Sequence, residues 1–545
     1  MSDLSHAAAS ALPIEAELPS LAKALTWGHA LLAAPTGSGK TTRVPLALLE
    51  ESWLSGRTIL MLEPRRPAAR MAAARMAAML GEAVGETVGH QVRFERVIGP
   101  NTRIQVLTEG ILTRRLQSDP ELDGCGLIIF DEFHERSLNA DLGLALALDA
   151  ASLRPDLRIL VMSATLDSAT VAGLLGDAPV IEGKGRSHPV EIRYADHSPN
   201  KPVDALTTTL RLALREQDGD ILAFLPGAAE IDRVAGQLGG IGDVDLLPLH
   251  GGLSLPAQDR ALRPDGGSRR RVVLATDIAE TSLTIEGIVT VVDSGLTRKP
   301  RYEPGSGLSR LVTEPISRAS ADQRAGRAGR LRPGICYRLW TQAEHQGRPA
   351  HRPAEILQSD LAPLVLELAL WGVADPDLMR WLEPPPAGAW ARGVELLQTL
   401  GAIDSAGKIT QAGRRMASLP LHPRLAKMLA ETPANAMPLA ADLAALLEER
   451  DPWSASRDCP RPIDLTPRLG ALGALRARRR IDGFDARRLG RIDQLSSQYR
   501  RLLRGNASTA PKTRINTDQS HAALHAGALL AMAYPDRVAQ NRGGT

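Results

Sequence analysis

Aromatic side chains are scarce in this 545-residue chain: five Phe, five Tyr and seven Trp make up 3% of it. Binding of nucleic acid therefore cannot rest on a long row of stacked bases. Cysteine is scarcer still. Cys125, Cys336 and Cys459 lie far apart without metal-ligand spacing, which excludes a disulfide framework and a cysteine zinc site and fits a reducing cytoplasm. No apolar run reaches the ~20 residues needed to cross a bilayer. The N-terminus has no cationic start and apolar core before Glu15 and Glu17, so no secretory signal is expected. These absences predict a soluble, cytoplasmic protein with no membrane partner. Strong charge of one sign is also missing. The net charge of +3 is too small to diagnose a nucleic-acid partner, although local basic clusters could still provide one.

The hydrophobic share of 43% and the charged share of 23% are ordinary for a globular protein. The length exceeds one core and predicts three or four domains. Short apolar runs at 30–33, 58–62, 104–108, 127–130 and 159–162 alternate with helical patterns. That is the signature of a parallel sheet covered on both faces. It recurs at 221–225, 246–249, 272–275 and 289–292, after a junction at 183–202 broken by Gly, Pro, Ser and His. From about Arg352 the strand signal fades. Residues 394–400, Gly401 and 408–410 predict helix, turn and short strand, as in a small winged helix, and the remainder reads as helical. The expected domains are an α/β lobe at 1–185, a second at 186–348, a winged helix at 349–412 and a helical bundle at 413–530. Residues 531–545 are expected to begin a further, truncated domain.

The stretch Thr36-Gly37-Ser38-Gly39-Lys40-Thr41-Thr42 follows a predicted strand and opens a helix. In that context a glycine-rich loop cradles phosphates with backbone N–H groups. Lys40 is expected at the β- and γ-phosphates, with the Thr41 hydroxyl on Mg²⁺. Ala34 stands where the strict pattern has glycine. Asp131-Glu132-Phe133-His134 follows the 127–130 strand. Asp131, with Glu132, is expected at the metal, and Glu132 to orient and deprotonate the attacking water. Ser163 and Thr165 could couple these carboxylates to another lobe, or simply cap a helix. In Gln323-Arg324-Ala325-Gly326-Arg327-Ala328-Gly329-Arg330 the arginines are three apart. On one helix they would share a face and converge on one anion, the alternative being a solvated basic helix.

These motifs, in this order, resemble a superfamily 2 helicase of the DEAH type. Residues 63–66 (Glu-Pro-Arg-Arg), 108–110 (Thr-Glu-Gly), 224–227 (Phe-Leu-Pro-Gly) and 276–282 (Thr-Asp-Ile-Ala-Glu-Thr-Ser) resemble its motifs Ia, Ib, IV and V. The Asp-Glu-Phe-His variant, extended to 138 (DEFHERSL), is similar to the bacterial HrpB branch, and 419–425 resembles the helicase-associated region. The resemblance implies two tandem RecA-like P-loop domains followed by a mostly α C-terminal region, a winged helix plus a helical bundle. It implies ATP, with other NTPs accepted, and Mg²⁺. Gln323 would position water, Arg327 and Arg330 would be arginine fingers, and Arg324 would serve packing or strand contacts. His134 would bridge to the second lobe, and Asp277 and Glu280 would sense nucleotide. The base-sandwich positions correspond to Arg75 and Leu262, so the aromatic half is missing.

Nucleic-acid contacts are expected from Arg65, Arg66, Thr108, Glu109, Gly110, Thr276, Thr281, Arg298 and Arg301. Contacts of this kind to phosphate carry no sequence information. Residues 297–311 match the place of a strand-separating hairpin, or are a charged surface loop. The arginines between 476 and 491 form either a further nucleic-acid surface or a solvated face. The implied activity is an ATP-dependent RNA helicase or translocase moving 3′-to-5′ on single-stranded RNA and unwinding tailed duplexes, as a monomer. The alternatives are an ATP-gated RNA clamp or ribonucleoprotein remodeller, and a translocase on single-stranded DNA.

Overall fold

The computed structural model describes residues 12–164, 168–185, 188–239, 244–262, 269–280, 285–303, 307–454, 461–505 and 519–539. Among them two compact units separate: 1–359 with 377–384, and 360–376 with 385–545.

The first unit holds two sheets. Strands β1 (Ala30–Ala33), β2 (Thr58–Glu63), β3 (Val88–Val92), β4 (Glu95–Val97), β5 (Ile104–Thr108), β6 (Cys125–Phe130), β7 (Arg158–Ser163) and β8 (Val180–Glu182) form one of them. Their order is β4-β3-β5-β2-β6-β7-β1-β8. All pairings are parallel except the β3–β4 ribbon. The chain forms central strands here because its apolar runs are continuous: Leu127, Ile128 and Ile129 on β6 are fully buried. Burying such side chains contributes about 1.5–3 kcal/mol each. Helix Arg66–Leu80 covers this sheet with alanines, burying Ala68, Ala69, Ala72, Ala73 and Ala77, and Gly81 at φ +74 ends it.

The second sheet contains β9 (Val190–Tyr194), β10 (Asp220–Phe224), β11 (Val244–Leu249), β12 (Arg270–Ala275), β13 (Ile288–Asp293) and, after an antiparallel hairpin of β14 (Leu296–Glu303) and β15 (Leu308–Pro315), β16 (Gly334–Arg338). Its order is β11-β12-β10-β13-β16-β9, all parallel. Both P-loop-type lobes therefore exist as expected, and the hairpin occupies the segment where one was anticipated.

The second unit is helical, from Ala362–Trp371 to Gln519–Ala533. One core cluster unites Leu397 and Ala402 with Leu429, Leu443, Leu489 and Tyr499. That continuity crosses the boundary expected at 412, and Gln519–Ala533 runs through the boundary expected at 530. Residues 349–359 belong to the first unit, and 377–384 return to it, so the 349–412 segment is divided. The strand expected at 408–410 is reduced to one bridge, Ile403 to Ile409. Arg476 is neutralised by Asp442 and Asp493, Arg480 by Asp482 and Arg488 by Asp485, so much of the 476–491 basic run is internally compensated. No described helix is long and apolar enough to cross a membrane.

Candidate active site

The loop between β1 and helix Lys40–Leu48 adopts left-handed backbone at Gly37 (φ +86) and Gly39 (φ +98), where a side chain would be strained. Lys40 is buried, its Nζ 3.5 Å from Ala34 O, 3.5 Å from Glu132 Oε2 and 3.9 Å from Asp131 Oδ1. The Thr41 hydroxyl donates to Asp131 Oδ2 at 2.5 Å. Thr36 and Thr42 flank this core half-buried, and the buried Ser38 hydroxyl has no hydrogen-bond partner in the described structure.

Asp131 and Glu132 leave the C-terminal end of β6, where parallel sheets place ligands. Glu132 sits at φ +50, an uncommon conformation for a residue with a Cβ. Burial raises the Asp131 carboxyl to about 6, reinforced by Glu132 and opposed by Lys40 and Thr41. Burial also acts to raise Glu132, but Lys40, His134 and Arg327 together hold it below its ordinary value, so it remains an ionised base. Burial keeps His134 low as well. Its ring spans the lobes: Nδ1 lies 3.4 Å from Glu132 Oε2, and Nε2 2.8 Å from the Gln323 side-chain amide.

The arginine run does not share one helix face. Helix Arg318–Ala325 ends within it. Arg324, fully buried, points into its own lobe: Nε donates to Glu280 Oε2 and Nη1 to Asp293 Oδ1, each at 2.9 Å. Its guanidinium lies 4.7 Å from the Phe224 ring centroid. Arg327 Nε donates to Glu280 O at 3.1 Å, and a Cβ placed on Gly37 would sit 3.8 Å from Arg330 Nε. Burial lowers Arg330 to about 10, and burial with Arg330 repulsion lowers Arg327, while Glu132 opposes both shifts. The cleft is therefore a buried electropositive place opposite a general base. Arg324 is structural: Arg324→Met, which leaves Asp293 buried beside an apolar side chain, should cost about 3–5 kcal/mol in urea unfolding.

Other expected residues are arranged differently. Ser163 is buried with an unpartnered hydroxyl, and Thr165 and Thr281 lie outside the described residues. Arg75 is exposed on helix Arg66–Leu80, but Leu262 is only 2% exposed in the second-lobe core, so it presents no face to a base. Glu280 is held near 2: burial opposes this, but Arg324 and Arg352, with which it pairs, prevail. Asp277 contacts Arg65, Nη1 of which donates to Asp277 O at 3.0 Å. Arg66 is exposed, Thr108 and Gly110 are half-buried, and Thr276 is half-buried after β12. On the hairpin, Arg298 pairs with Glu230 at 3.2 Å, and the exposed Arg301 faces Glu314 at 4.0 Å.

Glu109 is buried and accepts a short hydrogen bond from the Ser137 hydroxyl. Burial raises its carboxyl to about 8, with Glu135, Glu355 and Asp141 adding to the effect. The unfolded chain loses this proton near 4.5 and the folded one near 8, so stability should fall as pH rises through that window. Glu109→Gln should flatten this slope, gaining about 1–3 kcal/mol over wild type at pH 8.5 and little at pH 4.5. Urea midpoints at the two pH values check it.

Glu63, given no role beyond opening the 63–66 motif Ia resemblance, is buried at the end of β2 with neither carboxylate oxygen hydrogen-bonded. Burial, with Asp131, Glu132 and Glu135 nearby, raises it well above the ordinary range. Its sequence signals were that resemblance and an acid at the end of an apolar run.

Two RecA-like lobes, a P-loop on one and paired arginines from the other, define a two-lobed P-loop helicase core. The chain belongs to the DEAD/DEAH-box helicase family: residues 19–173 match its DEAD/DEAH box helicase model, 202–332 the helicase conserved C-terminal domain and 393–421 the winged-helix helicase associated domain (HA2). It is 47% identical over 446 residues to the ATP-dependent RNA helicase HrpB of Escherichia coli K12, covering 81% of this chain and 55% of that protein. It is 39% identical over 418 residues to the ATP-dependent RNA helicase HrpA of the same organism, covering 74% and 32%. A crystal structure of the E. coli DEAH/RHA helicase HrpB superposes with a TM-score of 0.83 at 44% identity, covering 98% of this chain and 64% of that one. A second, of the E. coli DExH-box NTPase HrpB, gives 0.81 at 43% identity, covering 99% and 63%. The chain thus spans about half the length of curated HrpB and a third of HrpA.

Proposed function

We propose that this chain is an ATP-dependent RNA helicase or translocase, hydrolysing NTP as its lobes close and moving 3′-to-5′ on single-stranded RNA to open tailed duplexes. The observation that carries the hydrolytic part is the meeting of the lobes at Glu132: Lys40 lies 3.5 Å and His134 3.4 Å from its carboxylate, Gln323 lies 2.8 Å from His134, and Arg330 lies beside Gly37 of the phosphate loop. Glu132 takes the proton of a water that Gln323 orients. Arg327 and Arg330 stabilise charge developing on the γ-phosphoryl group, and only a closed cleft brings them there, so turnover is tied to closure.

The Thr41 hydroxyl with the Asp131 and Glu132 carboxylates is a hard-oxygen set suited to Mg²⁺. Burial, which raises the Asp131 carboxyl to about 6, leaves a carboxylate whose charged form a bound cation would favour. Bound there, Mg²⁺ would neutralise phosphate charge. Leu262 in the core and the exposed Arg75 supply no aromatic clamp on the base, which supports acceptance of several NTPs. RNA as the strand, and a monomeric, cytoplasmic protein, are parts of the same proposal; HrpB and HrpA bear the name RNA helicase.

The test is NTP hydrolysis with RNA and DNA single strands, beside strand separation of a 3′-tailed duplex. Turnover stimulated by RNA with duplex opening is expected. Hydrolysis that releases bound RNA without separating strands would replace unwinding with an RNA clamp. Equal stimulation by DNA would remove the RNA assignment.

A further inference from the structure

Arg65 follows β2 as the N-cap of helix Arg66–Leu80, yet its guanidinium is committed to both lobes. Nη2 lies 3.3 Å from Glu135 Oε2 of the first lobe and 3.7 Å from Asp277 Oδ2 of the second, while Nη1 donates to Asp277 O at 3.0 Å. The side chain keeps 20% of its surface in solvent, so another anion can reach it. It stands at the carboxyl edge of a parallel sheet, where such folds bind ligands. A guanidinium fork fits phosphate at least as well as carboxylate.

Both carboxylates lead to catalytic groups. Glu135 shares the three-residue helix Phe133–Glu135 with His134, and this turn is flanked by left-handed Glu132 and Arg136. So tight a turn passes a displacement at 135 to 132 and 134. Asp277 opens the helix Asp277–Ala279, which runs directly into Glu280. Glu280 O is the acceptor that holds Arg327.

We propose that Glu135 and Asp277 are positioning residues that hold Arg65 as an interlobe clasp, and that a phosphate of bound RNA takes Arg65 from them, relaying strand engagement to Glu132 and Arg327. This rests on the RNA-stimulated NTPase reading above. In the absence of RNA the clasp restrains the Phe133–Glu135 turn. With RNA bound, the guanidinium changes partner and the restraint is lifted. The two states differ by an exchange of charge partners, which is the differential contact that coupling requires.

The experiment uses the full chain with a poly(U) oligonucleotide, comparing wild type, Glu135→Gln, Asp277→Asn and Arg65→Ala. Glu135→Gln keeps the side chain's size but removes its charge. It should raise RNA-free hydrolysis about fivefold, shrink the stimulation by RNA and tighten the RNA Kd about fivefold, because phosphate no longer competes with a carboxylate. Asp277→Asn should act in the same direction. Arg65→Ala should lose stimulation and weaken RNA binding. A merely structural contact would lower RNA-free hydrolysis in Glu135→Gln and leave its RNA Kd unchanged. That result, or stimulation and Kd both within about twofold of wild type, overturns the clasp. Wild type that hydrolyses NTP without any response to RNA overturns the clasp and the RNA reading together, so the two failures are distinguishable.

Discussion

Glu132→Gln should lower the kcat of NTP hydrolysis by about 10³-fold, with and without RNA, while nucleotide Kd changes by less than about threefold. Glutamine fills the same volume beside Lys40, 3.5 Å away, and still accepts a hydrogen bond from it. It cannot take a proton from water. Glu132 is the member of the Asp131–Glu132 pair held below its ordinary value, by Lys40, His134 and Arg327 against burial, and is therefore the base available at neutral pH. Asp131, raised by burial to about 6 and hydrogen-bonded to Thr41, is the member suited to a cation. Turnover within about tenfold of wild type would remove Glu132 from the role of base.

Arg327→Ala should cost about 10³-fold or more in kcat, again with little change in nucleotide Kd, because a finger acts on charge that appears only during transfer. Arg327→Lys should recover only part of that loss, since an ammonium keeps the charge without the planar fork. Arg324→Met gives the contrast: its neighbours are Glu280 and Asp293, so the loss should appear in unfolding. Unchanged turnover in Arg327→Ala would reject the finger. A large loss of urea stability in that same variant, at unchanged turnover per folded molecule, would move it beside Arg324 as a structural residue.

The local chemistry was readable because it depends on contiguous residues. Gly37 and Gly39 adopt backbone that only glycine takes readily, and Lys40 and Thr41 open the following helix, so the order of residues already describes a phosphate loop. The Asp131–Glu132 pair follows an apolar run that is a central strand for the same reason. The winged-helix strand was less legible. Three residues at 408–410 carry too little pattern, and only Ile409 makes a bridge. One helical core continues past 412 and helix Gln519–Ala533 past 530, because such a core can cross a polar turn and composition does not record which helices share it.

Within Gln323 to Arg330 the spacing of arginines suggested one face, but the helix ends at Ala325 and the face ends with it. Arg324 then meets Glu280 and Asp293, 44 and 31 residues away, while Arg327 donates to Glu280 O and Arg330 lies beside Gly37 of the other lobe's phosphate loop. Arg65 looked like a strand contact and is held by Asp277, 212 residues distant. The sequence by itself determined the two parallel-sheet lobes, the phosphate loop and the acid pair, because strand burial and backbone conformation are decided by neighbours along the chain. The resemblance had already set Arg324 apart from Arg327 and Arg330; only the tertiary structure decided that Arg324 pairs with Glu280 and Asp293 and that Arg65 joins the two lobes. A guanidinium is satisfied by whatever carboxylate the fold brings within about 3 Å, and that distance is set by packing between distant segments.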